Sequence, residues 1–159
     1  MTAVVRATVV YVRVMTHGAS TLATLTRIED AQAALRQMLR PVKPSRLLER
    51  PPSGDWSPME NVRHLIFAEQ HHFAPYLARG FRWSSVGVPP PNREGERRLS
   101  SIGADRASTV NDVFDAWANV HEVVRALATE DASRLMRTLE GNLNHVAIHT
   151  GTIERLLYG

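Results

Sequence analysis

Two of the seven histidines in this 159-residue chain, His145 and His149, stand four residues apart in the segment Leu143-Asn144-His145-Val146-Ala147-Ile148-His149-Thr150-Gly151. On a helix that spacing separates two side chains by about 40° around the axis and about 6 Å along it. Both imidazoles can then approach one metal ion from the same side. Bare pairs of this kind are also commonly two surface histidines on one helical face, and a pair is not a complete site. The third ligand has to come from elsewhere in the chain.

The other histidines differ in what they could contribute. His17 lies in an irregular N-terminal stretch and reads as solvated. His71 and His72 are adjacent, so on a helix they point about 100° apart and cannot chelate together. His71 follows His64 by seven residues, on the same side but about 10 Å along the axis, which leaves it a supporting role at most. His121 comes one turn after Trp117 and reads as a partly buried, hydrogen-bonded structural histidine.

Four helices are expected to carry these residues. Leu22, Leu25, Ile28, Ala31, Leu35 and Met38 recur at steps of three and four, predicting a helix from Ser20 to Arg40 that Pro41 and Pro44 stop. The second helix has the clearest start: Ser57 as N-cap, Pro58 at the first position, and Glu60 completing a capping box. Trp56, just before the cap, reads as an apolar staple. The helix is expected to run to about Arg79, kinked or shortened at Pro75 and ended by Gly80. Residues 80–107 show no sustained period and hold Gly80, Gly87, Pro89, Pro90, Pro91, Gly95 and Gly103, a long loop of the sort that is often functional. A third helix is predicted from about Thr109 to Thr129, burying Val113, Phe114, Trp117, Val120, Val124 and Leu127. A short helical piece follows Asp131, and the last helix spans about Leu139 to Leu157 with Leu143, Val146, Ile153 and Leu157 as its stripe. The fold class is therefore all-α: an antiparallel four-helix bundle with a long Pro/Gly-rich loop between the second and third helices, an architecture whose interior often holds metal sites.

Residues 20–159 form this domain, preceded by an extension, residues 1–19, expected to be disordered or loosely attached, with an edge strand as the alternative. Arg6 and Arg13 interrupt any apolar region of a signal peptide there, and the stretch is too short to span a membrane. Three arginines precede the first acidic residue, Glu29; from Ile28 onward 16 basic residues face 16 acidic ones, so the net charge of +3 belongs to the N-terminal stretch. No basic run interleaved with aromatics exists and no basic recognition helix, which argues against nucleic-acid binding and against a transcription factor. The absence of cysteine excludes disulfides, thiolate ligands and a protein-borne sulfur nucleophile, and fits a reducing cytoplasm. The expected partner is a small molecule, with neither nucleic acid nor membrane, and a homodimer is within what the sequence permits.

The third ligand is not decided by periodicity. His64 lies about 160° from the centre of the stripe made by Val62, Leu65, Ile66, Phe73 and Tyr76, whereas Glu69 falls inside it, where a carboxylate needs a partner or a metal. Both stay open on this reading.

The segment Trp56-Ser57-Pro58-Met59-Glu60-Asn61-Val62-Arg63-His64-Leu65, with Glu69 five residues past the histidine, resembles the second-helix motif of the DinB-like four-helix proteins. These include bacterial thiol S-transferases and mycothiol-dependent maleylpyruvate isomerases. Their C-terminal motif, His-x-x-x-His often followed by x-Gly-Gln-Ile, is matched by His145, His149 and Thr150-Gly151-Thr152-Ile153, with Thr152 where glutamine is often found. The resemblance covers about residues 20–157. It implies a metal triad of His64, His145 and His149, with Glu69 or His71 supporting it. The implied cofactors are a divalent metal, zinc or nickel foremost, and a low-molecular-weight thiol such as mycothiol or bacillithiol. Three neutral imidazoles leave a position open, as in a catalytic site. The implied function is thus a metal-dependent transferase acting on a small electrophile with an external thiol, which also answers the absence of cysteine. The arginine bias, 18 arginines to one lysine, fits a GC-rich genome and favours mycothiol. The competing expectation is a non-catalytic metal- or ligand-binding stress protein of the same fold. A catalytic member should have a pocket beside the triad, with Trp83 and the 80–107 loop as candidate walls; a binding or structural one should have that space filled. Catalytic residues and thiol-binding residues are not identified by the sequence.

Overall fold

The computed structural model describes residues 2–77, 84–90 and 109–159, with side chains from residue 20 onward. Among these residues are five helices: α1 (Thr2–Leu39), α2 (Pro44–Leu48), α3 (Pro58–Phe73), α4 (Val110–Glu130) and α5 (Ala132–Tyr158), with a 3-10 turn at Ala74–Tyr76. The fold is all-α, with four long helices and no strand among the described residues. α1 and α3 each pack on both α4 and α5, and α4 also touches α5. None of the helices among the described residues is long and apolar enough to cross a membrane.

Several boundaries differ from the sequence reading. α1 begins at Thr2, so the backbone of residues 2–19 is helical and continuous with the helix predicted from Ser20. The side chains of residues 1–19, His17 included, lie outside the described set, and with them the expectation of a loosely attached extension. The chain between Pro41 and Ser57 holds a short helix, α2, that periodicity could not reveal in five residues; its Leu47 is fully buried. α3 ends at Phe73 and not near Arg79, because Pro75 has no N–H for a helical bond and the chain tightens into the 3-10 turn. The short piece after Asp131 and the last helix are one element, α5, whose first turn Asp131 caps by accepting from the Arg134 N–H.

The capping box read from the sequence at Ser57 is present. Ser57 Oγ accepts from Glu60 N, and Glu60 returns a carboxylate oxygen to Ser57 N. Thr109 and Asp112 repeat the box at the start of α4. Of the apolar positions expected on the first helix, Leu25, Ile28 and Leu35 are buried, but Leu22 is 61 % exposed. Its place near the start of the bundle is taken by Thr21, whose hydroxyl donates to Ala132 O at 3.1 Å.

Two apolar clusters make the core. One gathers Leu35, Leu39, Leu47, Val62, Ile66, Phe114, Trp117 and Val146. The other gathers Leu25, Ile28, Phe73, Val124, Leu135 and Leu139. On α3 and α4 the residues between the two clusters include Glu69 and His121, both buried. Burying side chains on this scale is what holds a bundle of this length together.

Candidate metal centre

α3 and α5 lie against each other, and that contact brings the histidines together. One ring nitrogen from each of His64, His145 and His149 lies within 4.8 Å of the other two. Their ring centroids are 5.3 Å apart for His64–His145, 5.0 Å for His64–His149 and 4.6 Å for His145–His149. His64 is 8 % exposed, at a position the apolar periodicity of its helix assigned to the far side. His64 is buried there because α3 is covered nearly all round: every residue from Pro58 to Gln70 except Glu60 is buried, between α4, α5 and the segment 84–88.

Two of the three rings have their tautomers set by neighbours. His64 Nδ1 is 2.9 Å from Val88 O, an atom that can only accept, so Nδ1 carries the proton and Nε2 a free lone pair. His149 Nδ1 is 2.8 Å from Asn61 Oδ1. The Asn61 amide is oriented by its own Nδ2, which donates to Trp56 O at 3.2 Å and to Ser57 O at 3.0 Å. Oδ1 therefore faces His149 and accepts, which again leaves Nε2 unprotonated. His145 Nε2 is buried and has no hydrogen-bond partner among the described residues. An orphaned ring nitrogen beside two imidazoles with free lone pairs is a donor set that suits a cation.

Electrostatics favours the neutral rings. Burial pushes the pKa of His149 down to about 4, helped by His145 and His64. Burial does the same for His145, also to about 4, with His64 and His72 adding to it. His64 is lowered too, first by burial; its bond to Val88 opposes this, and His72 adds to it. Neutral imidazole is the form that binds metal.

The supporting contacts differ from those expected. Glu69 does not reach the triad. Its Oε2 accepts from Trp117 Nε1 and its Oε1 meets His121 Nδ1, both at 2.6 Å, in a fully buried cluster on the α4 side. His121 is thus the structural histidine the sequence suggested. Burial lowers its pKa, but the hydrogen bond and charge of Glu69, with Glu29, outweigh that and raise it. His71 stacks on Phe67, ring centroids 5.8 Å apart, and the Val88 carbonyl and Asn61 hold the rings of His64 and His149. Asn61 stood in the quoted motif without a role. The Val88 carbonyl is a backbone atom with no sequence signal at all.

Segment 84–88 is fastened along α3. Ser84 N donates to Gln70 Oε1, Arg63 Nε donates to Val86 O at 2.7 Å, and Val88 N donates to Arg63 O at 3.1 Å. Gly87 lies so close that a Cβ there would sit 3.1 Å from the Phe67 backbone. Residues 80–83, Gly80 and Trp83 among them, and residues 91–107 of the expected loop lie outside the described residues.

Trp56 is half-buried and caps the triad, its ring centroid 4.5 Å from that of His64 and 6.3 Å from that of His149. Beside it opens a cleft of about 710 Å³, walled in part by Trp56, Asn61, His149, Thr152 and Leu156. His72 was set aside as a chelating partner of His71. It stands edge-on to His145 with centroids 5.5 Å apart and shares with it a second cavity of about 370 Å³.

The family model of the DinB superfamily matches residues 27–153, which hold α3, α4 and both histidine motifs. The chain belongs to the DinB superfamily. Metal binding is frequent in this superfamily, and the DinB fold here carries a histidine cluster that fits it. No match is found among curated proteins or solved structures.

Proposed function

We propose that this DinB-superfamily protein binds a divalent metal, zinc or nickel, through His64, His145 and His149 and uses it to transfer an external low-molecular-weight thiol to a small electrophile. The observation that carries the reading is the convergence of three ring nitrogens within 4.8 Å of one another. Two of those rings are already locked in the metal-binding tautomer. Bound there, the metal would supply Lewis acidity, lowering the pKa of a coordinated thiol or water.

The chain's own residues supply the rest. Val88 O and Asn61 hold the two rings against rotation, which raises ligand basicity and keeps the donor set assembled. Trp56 covers the triad and lowers its exposure to water. The open cleft beside His149 is the feature expected of a catalytic member, since a purely structural site would have that space filled by side chains. With no cysteine in the chain, the sulfur must come from the cosubstrate.

Elemental analysis of protein purified without a histidine tag tests this directly. One equivalent of metal is expected in the wild type, none in His149→Ala with its helical signal retained, and one again in His121→Ala. A metal-free wild type would end the reading. Stoichiometric metal that never takes up a thiol would favour the non-catalytic, ligand-binding alternative instead.

A further inference from the structure

The cleft beside His149 has unequal walls. On one side, in the segment that precedes α3, stand Arg50 and Asp55; on the other, on α5, stands Arg155. Arg50 is committed to Glu60, with Nε 2.9 Å from one carboxylate oxygen and Nη2 on the other. Asp55 accepts from the Ser53 hydroxyl at 2.7 Å. Arg155 has no carboxylate partner among the described residues. Its Nη2 donates to Thr152 Oγ1 at 3.0 Å, and Thr152 in turn donates to Ile148 O at 3.2 Å.

That arrangement directs the charge. The side chain folds back along α5, as helical side chains do, with Nη1 3.8 Å from where a Cβ on Gly151 would lie. The guanidinium is thereby held alongside Thr152, one turn from His149, with donors left over. Thr152 departs from the glutamine often found at its position in the family motif, and in this chain its hydroxyl orients Arg155.

We propose that Arg155 is a specificity-determining residue that binds a carboxylate on the small molecule entering the cleft; this rests on the metal-and-thiol reading of the triad. A guanidinium fork matches a planar carboxylate with two parallel hydrogen bonds. Asp55 on the facing wall repels a second negative charge, so the preferred ligand carries one carboxylate, placed on the α5 side.

The test uses cobalt(II)-loaded protein and two probes of equal size, 3-mercaptopropionate and 3-mercaptopropionamide. Calorimetry measures affinity, and the sulfur-to-cobalt absorption band reports separately whether the thiol reaches the metal. The acid is expected to bind about tenfold more tightly than the amide, the worth of a charged hydrogen bond. Arg155→Met should erase that preference, and Asp55→Asn should keep it. Equal affinities in the wild type, no binding of either probe, or a preference that survives Arg155→Met through chelation of the metal by the carboxylate would each overturn the proposal. An Arg155-dependent preference without any sulfur-to-cobalt band would uphold it while ending the thiol reading. The band with both probes at equal affinity would do the reverse.

Discussion

Asn61 carries no charge, yet it decides which nitrogen of His149 is free. Its amide is fixed by the carbonyls of Trp56 and Ser57, so the orientation is inherited from the start of α3. Asn61→Ala should therefore weaken metal binding about 10–100-fold while leaving the three ligands in place. A chelator competition assay measures this, and an unchanged affinity would remove Asn61 from the site. The titration of the ligands gives a second expectation. His145 and His149 sit at about 4 in the folded, metal-free protein against an ordinary 6.5. The unfolded chain then holds more protons between those values. Stability tied to these rings is fully present above pH 6.5 and is lost as pH falls towards 4. The thermal midpoint of metal-free protein should drop across that window, and a His145→Ala/His149→Ala double variant should drop less. Equal pH dependence in both proteins would show that the rings are not desolvated as described.

At the scale of elements, α3 faces two ways. Towards α5 and segment 84–88 it offers His64, and towards α4 it offers Glu69. Glu69 meets a histidine whose pKa is raised, together with an indole N–H, so removing it strands buried polar groups. Glu69→Ala should cost about 3–5 kcal/mol in denaturant unfolding, with metal stoichiometry unchanged in the folded fraction. Loss of metal from protein that is still folded would restore Glu69 to the site. Gly87 tests the other face. A valine there meets the Phe67 backbone, which cannot swing aside as a flexible side chain could. We expect a cost of about 1–3 kcal/mol and weaker metal binding, because Val88 moves away from His64. A variant that loses stability but keeps its metal affinity would show that the Val88 carbonyl is dispensable.

For the whole molecule, the core and the triad are separate devices. Both apolar clusters draw side chains from all four long helices, so apolar packing holds α3 against α5. Stripping the metal with a chelator should leave the far-ultraviolet circular dichroism intact and lower the thermal midpoint only by the linkage of binding to folding. Collapse of the helical signal on chelation would make the site structural. The sequence by itself determined the helical class, because apolar periods and capping boxes are local: Ser57 with Glu60 marks α3 and the run from Val113 to Val124 marks the buried face of α4. It also determined the His145/His149 pair, since four residues on a helix fix a common face whatever the surroundings. Periodicity alone left both His64 and Glu69 open; the motif resemblance pointed to His64, and the tertiary structure places His64, not Glu69, beside His145 and His149. A periodicity argument assumes one buried face, and α3 has neighbours on nearly every side, so both residues are buried and each meets a different helix. The contacts that set the tautomers of His64 and His149 also appear only on folding. Val88 is 24 residues from His64 and Asn61 is 88 from His149, and no local rule links positions that far apart before α5 and segment 84–88 have packed on α3.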